Sequence, residues 1–480
     1  MTRSTSGGGD GRRARLTAHE LARYEGLFAA RTQGMKSSAM REMMALTERP
    51  EVISLAGGLP DTTTFPPKLY AKLMASVAAE STARALQYGP TEGMEATVEC
   101  IVEVMAAEAT AVDPSEVIVT TGGQQVIDLV CKTLIDPGDV IVAEAPTYPG
   151  AVPTFSAYQA EVEQIEMDAD GMPIDALESV LDRLQEQGRR PKFIYTIPNF
   201  HNPGGVTMSL PRRRRLVEVA RERELLVLED NPYGLLRYEG EPLPTLYSLD
   251  AQAAGRGGAS DLVIYLGTFS KILSPGLRLG WAVAPRAVLE KLNLGKQGAD
   301  LCSSPMTQLF VAAYFSQCDW REYLETLKSL YSRRRDVMLE ALEEHFGGRA
   351  EWTRPQGGLF IWATLGGNVD TTDLLARSEG VAFVPGRAAY ADGRSGSSSM
   401  RLNFAGVADE DIRQGVRRIG EALGGQAGLF GALSGVSPTI AGGAAPSPPA
   451  PQTEQDPGLA DVLQLPRRHD DDKTRRRRDR

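Results

Sequence analysis

One segment concentrates the chemistry in this sequence: Thr268-Phe269-Ser270-Lys271-Ile272-Leu273-Ser274-Pro275-Gly276-Leu277-Arg278. It follows the apolar run 262–266, so its lysine sits where a buried strand ends. These residue types suit a phosphorylated aldehyde. The amine forms a Schiff base, and the hydroxyls of Thr268 and Ser270 with the Arg278 guanidinium hold a phosphate dianion. Partial burial beside cations lowers a lysine pKa toward the range useful for nucleophilic attack and proton transfer. Read by itself, the segment leaves a surface lysine in a turn as the alternative.

Further stretches also follow apolar, β-branched runs. In Leu228-Glu229-Asp230-Asn231-Pro232-Tyr233-Gly234, an aspartate at a strand end can keep a pyridine nitrogen protonated, which makes the ring an electron sink. Tyr233, and Asn202 in Asn202-Pro203-Gly204-Gly205, can each hydrogen-bond a ring oxygen, and Pro232 offers a flat apolar face. In isolation Asp230 reads equally as a helix N-cap and Asn202-Pro203-Gly204 as a turn. Thr120-Thr121-Gly122-Gly123-Gln124-Gln125 places glycines at a helix start, where backbone N–H groups and the helix dipole favour an anion. Tyr148 can stack on a ring or belong to the core.

These pieces need a scaffold that brings strand ends together. From about residue 66 to 300, helix-like stretches alternate with the apolar runs 117–121, 140–143, 193–197, 225–228, 262–266 and 279–283. That alternation predicts an α/β unit with a mainly parallel sheet, whose strand ends hold the ligand. Residues 16–65 read as an N-terminal arm, helical at first and ending in the short apolar strand 52–55, and 66–310 as the large unit. Residues 311–425 read as a smaller α/β unit containing a long amphipathic helix from Trp320 to about His345. The Gly/Ser/Arg-rich residues 1–15 read as a disordered leader and 426–480, rich in Pro and ending in an Arg run, as a disordered tail.

Taken together and in order, the motifs resemble the class I/II aminotransferases of pyridoxal 5′-phosphate (PLP) fold type I. The resemblance is nearest to the branch of the 2-aminoadipate and kynurenine/aminoadipate aminotransferases. It covers roughly residues 35–425 and includes Ser54-Leu-Ala-Gly-Gly58-Leu-Pro60, Leu86-Gln-Tyr88-Gly-Pro-Thr-Glu-Gly93, Thr121-Gly-Gly-Gln-Gln125, Asn202-Pro-Gly-Gly205, Asp230-Asn-Pro-Tyr233, Ser270-Lys271 and Arg401-Leu-Asn-Phe404.

The resemblance implies PLP as cofactor. Lys271 matches the Schiff-base lysine, Asp230 the partner of the pyridinium nitrogen, and Asn202 with Tyr233 the ligands of ring oxygen O3′. Gly123, Gln124, Thr268, Ser270 and Arg278 match the phosphate cup, and Tyr148 the stacking aromatic. Tyr88 matches a tyrosine that reaches the neighbouring subunit's phosphate, which implies a homodimer with shared sites. Arg401, assisted by Asn202 and the backbone of Gly58, matches the clamp on the substrate α-carboxylate. Arg41 matches an arginine that helps bind a distal carboxylate. Two local departures occur: Asn202-Pro203-Gly204-Gly205 replaces the usual Asn-Pro-Thr-Gly, and Asn231 follows Asp230 where a second acid is usual.

Composition narrows the field further. A net charge of −10 argues against general nucleic-acid binding. No apolar run is long enough to span a bilayer, and the N-terminus lacks the apolar segment of a secretory signal, so the cytoplasm is the expected location. Four scattered histidines and four cysteines without C-x-x-C spacing predict no metal site. The expected activity is transamination from an L-amino acid (2-aminoadipate, glutamate or another long or aromatic donor) to 2-oxoglutarate by a ping-pong mechanism. The same residues serve a PLP-dependent lyase or decarboxylase, which stays open at this level. A PLP-sensing transcription regulator would need a DNA-binding domain before the aminotransferase-like region, and the roughly 55 residues ahead of Gly57 leave it little room.

Overall fold

The apolar runs become strands of one seven-stranded sheet. A computed structural model describes residues 23–35, 51–255, 259–367 and 369–434. After a short β1 (Ile53–Ser54) come β2 (Val117–Thr120), β3 (Val140–Ala145), β4 (Glu161–Glu166), β5 (Pro191–Thr196), β6 (Leu226–Asp230), β7 (Val263–Thr268) and β8 (Gly280–Val283). Their order across the sheet is β2-β8-β7-β6-β5-β3-β4. The pairs from β4 through β7 are parallel, while β8 runs antiparallel to both β2 and β7.

Every residue of β3 and β7 is buried, as expected for strands covered on both faces. Successive residues point to opposite faces, so Val117, Val119, Val140 and Val142 join one core while Ile118, Ile141 and Ala143 join another. Helix Gly123–Leu134 packs against helix Arg286–Gln297 over the second core. Helix Glu95–Ala107 lies over the first. The sheet is therefore sandwiched by helices. Strand β4, Glu-Val-Glu-Gln-Ile-Glu, is absent from the runs read off the sequence, because this edge strand buries only Ile165.

The smaller unit is built on helix Trp320–Phe346, capped by Asp319, whose carboxylate accepts the amides of Arg321 and Glu322. It packs along the final helix, Asp409–Ser434. Strands β9 (Ala350–Trp352), β10 (Phe360–Leu365), β11 (Val381–Ala382), β12 (Val384–Pro385) and β13 (Ser399–Asn403) follow the first of these helices. An antiparallel sheet of order β12-β13-β10-β9 results. Strand β1 pairs in parallel with β11, Ile53 opposite Val381, which fastens the N-terminal chain to this unit.

Two helices cross the boundaries expected from the sequence. Helix Pro305–Gln317 straddles residue 310 and packs on helices Pro67–Glu80 and Glu95–Ala107, so it sides with the large unit. The final helix, Asp409–Ser434, runs past the boundary at 426 in spite of Gly424, Gly425, Gly428 and Gly431, which are poor helix formers. Within the stretch read as a helical arm, residues 23–24 are helical and two short 3-10 turns follow, Glu25–Leu27 and Ala30–Gly34. Residues 1–15, the chain beyond 434, and Arg41 lie outside the described residues. Among the described residues no helix is long and apolar enough to cross a membrane.

Candidate active site

The C-terminal ends of β2, β3, β5, β6 and β7 converge on a cavity of about 330 Å³ that the smaller unit closes from one side through Arg401. Asp230 is the last residue of β6, and Lys271 follows the end of β7 by three positions. Among the described residues lining the cavity, the cations Lys271, Arg278 and Arg401 face one carboxylate, Asp230. This cationic excess suits a ligand with more than one anionic group.

Lys271 is enclosed, and its Nζ donates to the carbonyl oxygen of Gly58. Burial, with Arg401 and Arg278 nearby, pushes its pKa down to about 8. An amine so tuned is partly neutral near physiological pH and can act as nucleophile or base. Asp230 shows the opposite shift. Burial raises its carboxyl to about 7, opposed by the Tyr195 hydroxyl, which donates to Oδ2 at 2.6 Å, and reinforced by Glu144. A carboxylate held in so dry a place favours a cationic partner. Neighbouring Glu229 turns away to accept the amides of Leu246 and Tyr247 at 2.9 and 2.8 Å.

Asn202 and Tyr233 lie together, with Asn202 Nδ2 3.4 Å from the Tyr233 hydroxyl. Arg401, buried on β13, donates from Nη1 to Asn202 Oδ1 at 2.9 Å and from Nη2 to the Ala56 carbonyl at 2.6 Å. Its guanidinium carbon sits 4.4 Å from the centre of the Phe360 ring. Burial lowers the Arg401 pKa to about 10, and the group keeps its charge at neutral pH. A rigid fork on an aromatic platform is the geometry for a carboxylate.

The opposite end offers groups that suit a phosphate. Helix Gly123–Leu134 begins here, and its first N–H groups have no partner within the helix. At Gly122, φ is +80°, and a Cβ would stand 2.5 Å from Arg278 Nη2; glycine lets the guanidinium lie against the turn. Thr268 Oγ1 sits 2.8 Å from Ser270 Oγ and accepts the Ser270 amide at 3.1 Å. Gln124 directs its side-chain nitrogen to Thr154 Oγ1 at 2.8 Å and the Gly150 carbonyl at 3.2 Å, which leaves its backbone N–H for an anion. A Cβ at Gly150 would fall 2.5 Å from the Tyr148 ring, so this glycine makes room for the aromatic wall.

The structure thus brings together Gly58, Gly123, Gln124, Tyr148, Asn202, Asp230, Tyr233, Thr268, Ser270, Lys271, Arg278 and Arg401. Tyr88 does not join them within one chain; it stands at the surface, 78% exposed. The sequence reading passed over Tyr195 and Phe360; Tyr195 stands one residue before the end of β5 and meets Asp230 only through the pairing of β5 with β6.

These residues fit PLP. Helix N–H groups, two hydroxyls and an arginine match a phosphate, a buried carboxylate matches a protonated ring nitrogen, and an enclosed low-pKa lysine matches the aldehyde carbon.

Known proteins agree. The family described as aminotransferase class I and II matches residues 50–419. An aromatic-amino-acid aminotransferase of Thermococcus litoralis is 42% identical over 83% of this chain and 94% of its own length. A 2-aminoadipate transaminase of Thermus thermophilus is 40% identical over 82% of this chain and 95% of its own. The solved structure of a kynurenine aminotransferase from Pyrococcus horikoshii, in complex with PMP and kynurenine, superposes with a TM-score of 0.78 at 38% identity, covering 85% of this chain and 99% of that one. The chain belongs to the class I and II aminotransferases, enzymes of PLP fold type I that work with pyridoxal 5′-phosphate.

Proposed function

We propose that this enzyme moves the amino group of a long, dicarboxylic or aromatic L-amino acid to 2-oxoglutarate in two successive half-reactions. The observation that carries this reading is the spacing of cations along one cavity, with Arg278 at the phosphate end and Arg401 at the other. When bound, the cofactor supplies the aldehyde that takes up an amino group and the ring that stores electrons released at the substrate Cα.

The chain's residues do the rest. Lys271 would hold the cofactor through its amine and, as the base beside the substrate, would take up and return the Cα proton. Asp230 keeps the ring nitrogen protonated, while Tyr233 and Asn202 hold the ring oxygen and Tyr148 covers one face. The backbone of Gly123 and Gln124, the Thr268 and Ser270 hydroxyls and Arg278 bind phosphate. Arg401 would fix the α-carboxylate with Asn202 and the Gly58 backbone and so hold the substrate in one orientation beside Lys271. Arg41 is assigned to a distal carboxylate.

The donor range draws on the named activities of the relatives: aromatic amino acids for one and 2-aminoadipate for another. A homodimer in the cytoplasm completes the reading, and the exposed Tyr88, Leu86 and Leu301 supply apolar surface for a subunit contact.

A panel of amino donors with 2-oxoglutarate, followed by glutamate formation, tests the proposal, with Lys271→Ala as the control expected to be inactive. An amino acid alone should convert the bound cofactor to its pyridoxamine form. Release of ammonia or carbon dioxide instead would assign lyase or decarboxylase chemistry.

A further inference from the structure

Beside the glycine turn, outside the residues that line the cavity, a buried lysine pairs with a half-buried aspartate. Lys296, on helix Arg286–Gln297, is fully buried and donates from Nζ to Asp300 Oδ1 at 2.6 Å. The other carboxylate oxygen, Oδ2, accepts the Thr121 hydroxyl at 2.7 Å and the Gln125 side-chain nitrogen at 2.8 Å. Gln125 Oε1 in turn accepts the Thr121 backbone N–H at 2.7 Å. The Thr121 carbonyl accepts Arg278 Nη2 at 3.4 Å. Every polar group of Thr121 is therefore engaged, and the chain leaves it for Gly122 at φ +80°.

We propose that the Lys296–Asp300 pair is a positioning device that fixes the Thr121–Gln125 turn in its phosphate-binding conformation. This inference rests on the assignment of that turn and Arg278 to the cofactor phosphate.

The physical case has three parts. A helix N-terminus binds an anion well only when its N–H groups are already aimed, since ordering them on binding subtracts from affinity. Hydrogen bonds to a charged acceptor are stronger than neutral ones, and Asp300 supplies such an acceptor to both sides of the turn. A buried lysine without a partner is strongly unfavourable, so Lys296 holds Asp300 in one place and Asp300 holds the turn. Burial works against the Asp300 carboxylate, yet the bonds from Lys296, Thr121 and Gln125 hold it below the ordinary carboxylate range. The anchor comes from a segment remote in sequence, so it ties the turn to helix Arg286–Gln297 and not merely to itself.

The test compares binding of PLP with binding of pyridoxal, which lacks the phosphate, to the full-length chain stripped of cofactor. Lys296→Met/Asp300→Leu removes both charges together and leaves neither orphaned. Its preference for PLP over pyridoxal should fall about tenfold, with pyridoxal affinity unchanged. Thr121→Val keeps the ion pair and the side-chain shape while removing one bond to it, and should lower the preference roughly threefold. Should the double variant fail to fold, Thr121→Val decides.

Arg278→Ala is the reference. If Arg278→Ala loses the preference while the other two variants retain it, the positioning role is overturned and the phosphate assignment stands. If Arg278→Ala also retains it, the phosphate assignment fails and the positioning role with it. Equal weakening of both ligands in Thr121→Val makes the pair a general prop of the fold, which also overturns the inference.

Discussion

The Tyr195 hydroxyl donates to Asp230 Oδ2 at 2.6 Å across two neighbouring strands of the central sheet. Burial alone would leave Asp230 protonated well into the neutral range, and this bond is the first-ranking influence that favours its charged form. Tyr195→Phe removes it, so the carboxyl must rise above about 7. A neutral Asp230 cannot hold the ring nitrogen's proton. The acid limb of the kcat/KM profile should therefore move to higher pH, and turnover at pH 7 should drop about tenfold. An unmoved acid limb in Tyr195→Phe would show that Asp230 is governed by something else.

The same burial has a cost for the fold. Asp230 rises from 3.8 to about 7 in the folded protein, so between those values the folded chain binds more protons at this site than the unfolded one. Stability then falls as pH climbs through that window, and the loss is complete above about 7. Asp230→Asn keeps an acceptor for Tyr195 without the charge. Without cofactor, it should melt roughly 2–4 °C above wild type at pH 8, with the gap shrinking toward pH 5. With PLP bound the order should reverse, because wild type regains a partner for its carboxylate. Thermal melts at the two pH values, with and without PLP, check both signs.

What the sequence could reveal follows from how each contact is made. Lys271, Asp230, Asn202 and Arg278 are set by their place at strand ends, and each sits in a short motif, so local pattern suffices. Tyr195 reaches Asp230 only through sheet register. It stands opposite Leu228, and Asp230, two residues further, shares the face of Leu228. Nothing in the order of residues fixes that register. The link from Asp300 to Thr121 is hidden too, because it joins side chains 179 positions apart that only the tertiary fold brings together. Strand β4 escaped because an exposed edge with alternating glutamates carries little apolar signal.

Tyr88 offers a test of subunit sharing. It stands 78% exposed in one chain and is outside that chain's cavity, while matching a residue that acts on a neighbour's phosphate. Tyr88→Ala and Lys271→Ala chains, mixed after dissociation, should form heterodimers in which one site carries both lesions and the other neither. Activity should recover to roughly a quarter of wild type if pairing is random and sites are independent. No recovery, or a fully active monomer by sedimentation, would rule out shared sites.

Donor selectivity is the last expectation, and it turns on Arg41. Arg401, which donates to Asn202 Oδ1 and the Ala56 carbonyl, is the cation proposed for the α-carboxylate, so a dicarboxylic donor needs a second cation for its far end. Arg41, 17 residues before Gly58, is the candidate drawn from the N-terminal chain. A guanidinium–carboxylate pair is bidentate, so its loss falls on donors that carry the second carboxylate. Arg41→Ala should raise KM for glutamate and 2-aminoadipate about tenfold or more while leaving leucine and phenylalanine nearly unchanged. The competing reading of the sequence has Arg41 pair with its neighbour Glu42 instead of substrate, and it predicts a different pattern. Removing such a pair would alter all donors equally or none, and either result would detach Arg41 from substrate choice.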